Sequence, residues 1–311
     1  FFRHGPVAAQ LILRSGTHPR LIAAFPAGNS GVGLWFAGAQ GDAHWRMDTA
    51  PSALISPDHL GRPLRGIAAD ISISASMLEP REAVLSSIRV LREYERTGQQ
   101  PGAVAATATI TQNSMLWQRD RLDGAAGYRL SLAVLDGRIE GGRILAGPDG
   151  RIRLHVTAQT GEPPLSPLTG SALFTPRAAR DPAARRTLEF LSYREKFIAG
   201  AWRFDTYFGR DSLMSLRLLM PALRPQAVEA GIGSVLTRLS AEGEVAHEED
   251  IGEFAILDHL ARDGTRSDAP VYDYKMIDGT PMLAAVAGHW LLEDPRARPR
   301  ARAFLAQPAT A

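Results

Sequence analysis

YRLSLAVLDGRIEGGRILAGPDGRIRLHVT, residues 128–157, decides how the first half of the chain reads. Apolar and polar residues alternate over 128–135, 138–145 and 151–157. A period of two places one face of an extended strand in a core and the other in water. Asp136-Gly137 separates the first two runs, and Pro148-Asp149-Gly150 precedes the third. Asp-Gly between alternating runs is a hairpin signal, because the turn needs positive φ. The stretch therefore predicts 128–135 paired with 138–145, followed by a third strand.

Toward the N-terminus the same grammar continues. Short apolar runs at 7–13, 20–25, 32–36 and 67–73 alternate with Gly and Pro breaks. One segment departs from it. PREAVLSSIRVLREYER, residues 80–96, carries Val84, Ile88 and Leu91 at helical spacing with charges opposite. It predicts one surface helix packed on a sheet. Toward the C-terminus, GEPPLSPLTG at 161–170 is too Pro-rich for a helix interior or a central strand and reads as linker. Asp181-Pro182 then opens a helix, an N-cap followed by Pro in the first turn. Helical runs follow to about 199, then over 211–219, 225–239, 252–261, 280–292 and 296–305. The expected fold class is α+β in two domains: an antiparallel β-sandwich over 1–180, with one inserted helix near 80–97, and a helical domain over 181–311.

Composition narrows the function classes. Of 311 residues, 45% are hydrophobic and 22% charged, as in ordinary globular proteins. The net charge is +2 and the only lysines are Lys196 and Lys275. Scattered single arginines argue against a nucleic-acid surface. With no cysteine, disulfides, thiolate catalysis and Cys-ligated metal are excluded. The lack fits the cytoplasm and the bacterial periplasm equally. No apolar run approaches a membrane span. No signal peptide is visible, but the chain opens on Phe1 rather than Met and reads as a piece whose true N-terminus is missing, so that absence decides nothing about a leader.

Three inter-helix loops hold the chemically useful side chains. TYFGRDSL (206–213) follows Trp202 and Phe204 and contains Tyr207, Phe208, Arg210 and Asp211. AEGEVAHEEDIGEF (241–254) contains Glu244, His247, Glu248, Glu249, Asp250 and Glu253. DAPVYDYKMIDGTP (268–281) contains Asp268, Tyr272, Asp273, Tyr274, Lys275 and Asp278. If alternate helices run parallel, the loops meet at one end. Aromatic faces stack on sugar C–H surfaces, and paired carboxylates protonate a leaving oxygen and activate water. Each element also has a plainer reading. Asp211 and Asp278 fit helix caps, Arg210 fits a surface pair with Asp205, HEED fits a helix start, and Trp202 and Trp290 fit core. His247 among acids is a thin basis for a metal, and neither metal nor cofactor is expected.

TYFGRDSL, GEVAHEEDIGEF and YDYKMIDGTPML resemble, in that order, motifs of glycogen-debranching-type amylo-α-1,6-glucosidases and related six-hairpin glycosidases. The resemblance covers about 188–292; its most specific parts are the Arg-Asp-Ser step and the Asp of IDGTP. It implies an N-terminal β-sandwich followed by the first part of an (α/α)6 toroid. It implies hydrolysis of α-glucosidic bonds in oligosaccharides or polysaccharides by inversion, with Asp278 as general acid. It implies that Arg210 and Asp211 hold hydroxyls of the terminal sugar, that Trp202 and Tyr274 form sugar-facing walls, that Tyr207 binds substrate, and that His247 and Glu248 line the pocket. Gly279 and Pro281 depart from the common pattern. The family's general base, a Glu late in the barrel, has no counterpart before Ala311. The chain is therefore expected to be a fragment, inactive and poorly soluble alone, whose partner is the remaining C-terminal half of the barrel. A glycoside phosphorylase on the same fold and a non-catalytic carbohydrate-binding protein are the alternatives.

Overall fold

The computed structural model describes residues 1–39, 42–178 and 180–307. The chain is α+β, with antiparallel sheets and, among the described residues, eight α-helices. It divides into two compact units, 1–164 with 251–269, and 165–250 with 270–311. The Pro-rich stretch is thus split at 164/165 rather than lying wholly before a boundary at 180. The chain also returns to the first unit for 19 residues, 251–269.

The β unit holds a five-stranded and a seven-stranded antiparallel sheet, whose inward residues form one hydrophobic core. Leu21, Ala23, Val32 and Leu34 come from one sheet; Ile67, Ile71, Leu130 and Leu154 come from the other. Alternation at 128–136 works as expected, but its pairing does not. Tyr128–Asp136 pairs with Ile152–Thr160, running from Tyr128↔Thr160 to Asp136↔Arg153. Arg138–Glu140 instead folds back on Arg143–Leu145, which pairs with Met77–Leu78. Gly141 and Gly142, at φ +58° and +78°, supply the tight turn that Asp136-Gly137 was expected to make. Gly137 keeps its positive φ of +115°, as a corner between two sheets. The longer ladder buries more alternating apolar residues, so it sets the register.

The expected 80–97 helix is a strand followed by a helix. Pro80–Ser87 pairs with Ser30–Phe36, and Ala83, Val84 and Leu85 are all buried. The helix Ile88–Thr97 begins at Ser87, whose Oγ accepts from Val90 N at 3.4 Å, and ends at Gly98 with φ +70°. The helix Gly252–Arg262 belongs to this unit too. Its Glu253, 0% exposed, accepts from Leu122 N at 3.1 Å, from the Arg119 guanidinium and from Ser86 Oγ. Arg121 joins Glu162 and Asp268, each at 2.8 Å.

In the helical unit, Asp181 caps Pro182–Leu191, accepting from Ala183 N at 2.9 Å. That helix stops at Leu191 rather than near 199. Residues 192–197 fold back on themselves, with Tyr193 N donating to the Lys196 carbonyl at 3.1 Å and Ser192 bridging Phe197, and Ile198 then bridges Tyr207. Gly209–Leu219, Pro225–Leu236 and Gly279–Gly288 contribute Leu213, Leu216, Val228, Ile232, Val235 and Val286 to a second core, which includes Trp290. The last helix is Ala301–Leu305, shorter than expected. Arg296 is engaged just before it, bonding Asp294 at 2.6 Å and the Met220 carbonyl at 3.0 Å. Among the described residues no helix is long and apolar enough to cross a membrane.

Candidate functional site

All three singled-out loops meet within the helical unit, and residues 245–248 are the hub. Phe208 bridges Glu248, and Gly209 N donates to the His247 carbonyl at 2.9 Å. Glu248–Asp250 pairs with Val271–Asp273, and His247 N donates to the Asp273 carbonyl at 2.6 Å. Val245 N donates to Thr280 Oγ1 at 3.2 Å. Two glycines permit this closeness. A Cβ on Gly209 would lie 2.2 Å from the Ala246 carbonyl oxygen, and one on Gly279 would lie 3.1 Å from the Val245 side chain. So the acids Glu248–Asp250 of HEED form a short strand, and the helix begins only at Gly252.

The hub sets two helix starts side by side. Arg210 and Asp211 sit in the first turn of Gly209–Leu219, and Asp278 immediately precedes Gly279–Gly288. Arg210 Nη1 lies 3.4 Å from Asp278 Oδ2, and both side chains are about two-fifths exposed. Asp278 makes no side-chain cap bond to its helix. Its Oδ1 is buried and has no hydrogen-bond partner among the described residues, as is also true of His247 Nδ1. The His247 ring lies edge-on to Phe208 at 5.6 Å, and Phe208 to Phe204 at 5.7 Å. The cluster joins a cationic fork, a half-exposed carboxylate, an imidazole and an aromatic wall. Such a set can grip vicinal hydroxyls through charge-assisted bonds.

The other expected site residues are placed differently. Asp211 is exposed on the first helical turn, where a negative charge complements the helix dipole. Glu248 is half-buried in the hub strand. Trp202 is half-buried and carries the Arg203 guanidinium 4.9 Å over its ring. Tyr274 is half-buried, with its hydroxyl donating to the Arg238 carbonyl at 3.3 Å. Tyr207 is fully buried under the Arg238 guanidinium, and burial pushes its phenol above its ordinary range. In this structure Tyr207 is a core residue, not a substrate-binding one. Glu253 and Asp268, which the sequence places in these loops, lie in the β unit.

Sequence reasoning missed the ionic centre behind the hub. Glu249, 1% exposed, accepts from the Lys196 ammonium, from Arg238 Nε at 2.7 Å and from Thr206 Oγ1 at 2.9 Å. Burial alone would raise the Glu249 carboxyl; Lys196 and Arg238 outweigh it and hold it at about 2. The available signals were strand alternation, which turns Glu249 opposite to Glu248, and one of only two lysines in the chain. Elsewhere, in the β unit, ligand-type atoms of Asp58, His59 and Asp120 lie within 4.8 Å of one another. Arg62 already bonds Asp58 at 2.6 Å and Asp120 at 2.5 Å, so a guanidinium supplies the positive charge there.

No family model, no curated protein and no solved structure matches this chain.

Proposed function

We propose that the helical unit is part of a six-hairpin glycosidase toroid, and that the protein hydrolyses α-glucosidic bonds of glucans or oligosaccharides by inversion. The observation that supports this reading is the convergence of three sequence-distant loops on the Arg210–Asp278 pair, 3.4 Å apart. In this reading Arg210 binds hydroxyls of the terminal sugar with two N–H groups. Asp278, half-exposed and lacking a structural bond at Oδ1, delivers the proton to the leaving glycosidic oxygen. His247 and Glu248 line the same end, and the Phe208 ring packs against His247. Inversion needs a second carboxylate, about 6.5–9.5 Å across the sugar, to activate water. We assign no residue of this chain to that role.

A second reading, a carbohydrate-binding unit without catalysis, draws on the same pair, because a guanidinium facing a carboxylate grips hydroxyls without any proton transfer. The deciding experiment is a product assay of the protein expressed from its complete reading frame, on maltooligosaccharides, isomaltose and limit dextrin. Free glucose released in the absence of phosphate supports hydrolysis. Glucose 1-phosphate formed only with phosphate replaces it by phosphorolysis. Saccharide binding without either product leaves the non-catalytic reading.

A further inference from the structure

The helical unit contains a cavity of about 650 Å³ against the helix Pro225–Leu236, sharing no lining residue with the Arg210–Asp278 cluster. Its size falls within the range of small-molecule sites, about 300–1,000 Å³. We propose that it is a second binding site, for a neutral polyhydroxylated solute. The probe named below rests on the glycoside reading; the site itself does not.

The lining charges are mixed in sign and favour neither ionic alternative. Arg194, Arg238 and Arg300 face the cavity, and so do Glu195 and Glu229. A cation would meet three guanidiniums, and an anion would meet two carboxylates. Four of these five side chains are also already partnered; Glu195 accepts from Ser166 N at 3.0 Å. Arg300 binds Glu229 through two bonds, at 2.7 and 2.5 Å, and Arg238 binds Glu249 at 2.7 Å. A guanidinium–carboxylate pair presents donors beside acceptors, and a hydroxyl group uses both. Ser234 and Thr237 line the same wall and donate to backbone carbonyls at 2.7 and 3.2 Å, which leaves their oxygens able to accept.

Gly233 adds a second line of argument. It lies inside a twelve-residue helix, where Gly costs about 1 kcal/mol relative to Ala. Gly231, two residues earlier, has a packing reason: a Cβ there would lie 2.6 Å from Leu216 Cδ2. A Cβ on Gly233 would meet nothing closer than a Phe304 ring carbon at 4.0 Å. Nothing in the packing of the described residues requires glycine at 233. The missing side chain leaves backbone bare on the cavity wall, where a ligand ring can approach it.

The test is calorimetric titration of the intact chain with maltotriose, in parallel with inorganic phosphate. Gly233→Leu fills the cavity from a position with room for a side chain. It should weaken one class of sugar binding at least tenfold while the melting temperature holds or rises. Gln226→Leu, an exposed lining residue, should weaken the same class several-fold without touching the helix packing. Wild-type affinity in both variants overturns the proposal, and so does binding of phosphate in place of sugar. Arg210→Ala separates the two sites. Loss of sugar binding in Arg210→Ala alone sinks this inference and spares the proposed catalytic cluster. Loss in Gly233→Leu alone spares this inference and sinks the cluster.

Discussion

Glu249 and Glu253 are four residues apart in the chain and serve different units. Both are essentially unexposed, and both are clamped by arginine. Glu253 closes the β unit, joining Arg119, Ser86 Oγ and the Leu122 amide around the helix Gly252–Arg262. Glu249 closes the helical unit, joining Lys196, Arg238 and Thr206 behind the loop hub. The comparison teaches how a short acidic segment is divided between two cores. Each buried carboxylate is retained where cations from its own unit surround it. The hub side chains next to Glu249 are left turned the other way.

The largest expected effects come from breaking either clamp. Glu249→Ala leaves Lys196 and Arg238 buried without their counter-charge, and Glu253→Ala does the same to Arg119. Each should cost about 3–5 kcal/mol in equilibrium denaturation. Trp202 and Trp290 report on the helical unit, and Trp35, Trp45 and Trp117 on the β unit. Glu249→Ala should shift the first reporters and Glu253→Ala the second; a uniform shift in both variants would undo the division of labour.

Acid should sharpen the contrast. The folded carboxyl of Glu249 stands at about 2, against an ordinary value near 4.5. A depressed carboxyl contributes stability above its unfolded value and loses it as pH falls toward the folded one. The helical unit should therefore lose about 3 kcal/mol between pH 5 and pH 2, at ~1.4 kcal/mol per unit. Denaturation of Glu249→Gln across the same range should show this component missing. An identical acid slope in wild type and variant would refute it.

Close-approach glycines come next. A Cβ on Gly66 of the β unit would sit 1.8 Å from the Ala158 carbonyl oxygen, and one on Gly209 would sit 2.2 Å from that of Ala246. Gly66→Ala and Gly209→Ala should each destabilise by about 1–3 kcal/mol through forced backbone shifts. Gly209→Ala should in addition broaden amide resonances of 245–248 in NMR spectra. Unperturbed spectra there would remove the hub from the account. The smallest effects belong to the caps. Ser87→Ala and Asp181→Ala should each cost about 1 kcal/mol in thermal unfolding, with the longer Ser87 bond giving the lesser loss.

Physical periodicity decided how much could be read in advance. Alternation at 128–136 marked a strand, and Asp181-Pro182 marked a helix start, because both signals are local. Partners are not local. Gly137 has the positive φ that the signal requires, yet it makes a corner rather than a hairpin turn, and the strand before it pairs with 152–160, where a longer ladder is available. Val84, Ile88 and Leu91 fit helical spacing by coincidence, since Val84 lies in a strand buried on both faces. In the site, the meeting of Arg210 with Asp278 and of Phe208 with Glu248 followed from the expected loop gathering. The burial of Tyr207 and the departure of Glu253 and Asp268 to the other unit did not. Aromatic and acidic residues look alike in sequence whether they face a ligand or complete a core.

The most direct test of the functional reading is steady-state kinetics of wild type, Asp278→Asn and Arg210→Ala on maltooligosaccharides, isomaltose and limit dextrin. Removing a general acid should lower kcat by about 10²–10⁴-fold with KM nearly unchanged, and removing the hydroxyl fork should act mainly by raising KM. Wild-type kcat in a folded Asp278→Asn would contradict the account, leaving the Arg210–Asp278 pair as a structural contact between two helix starts.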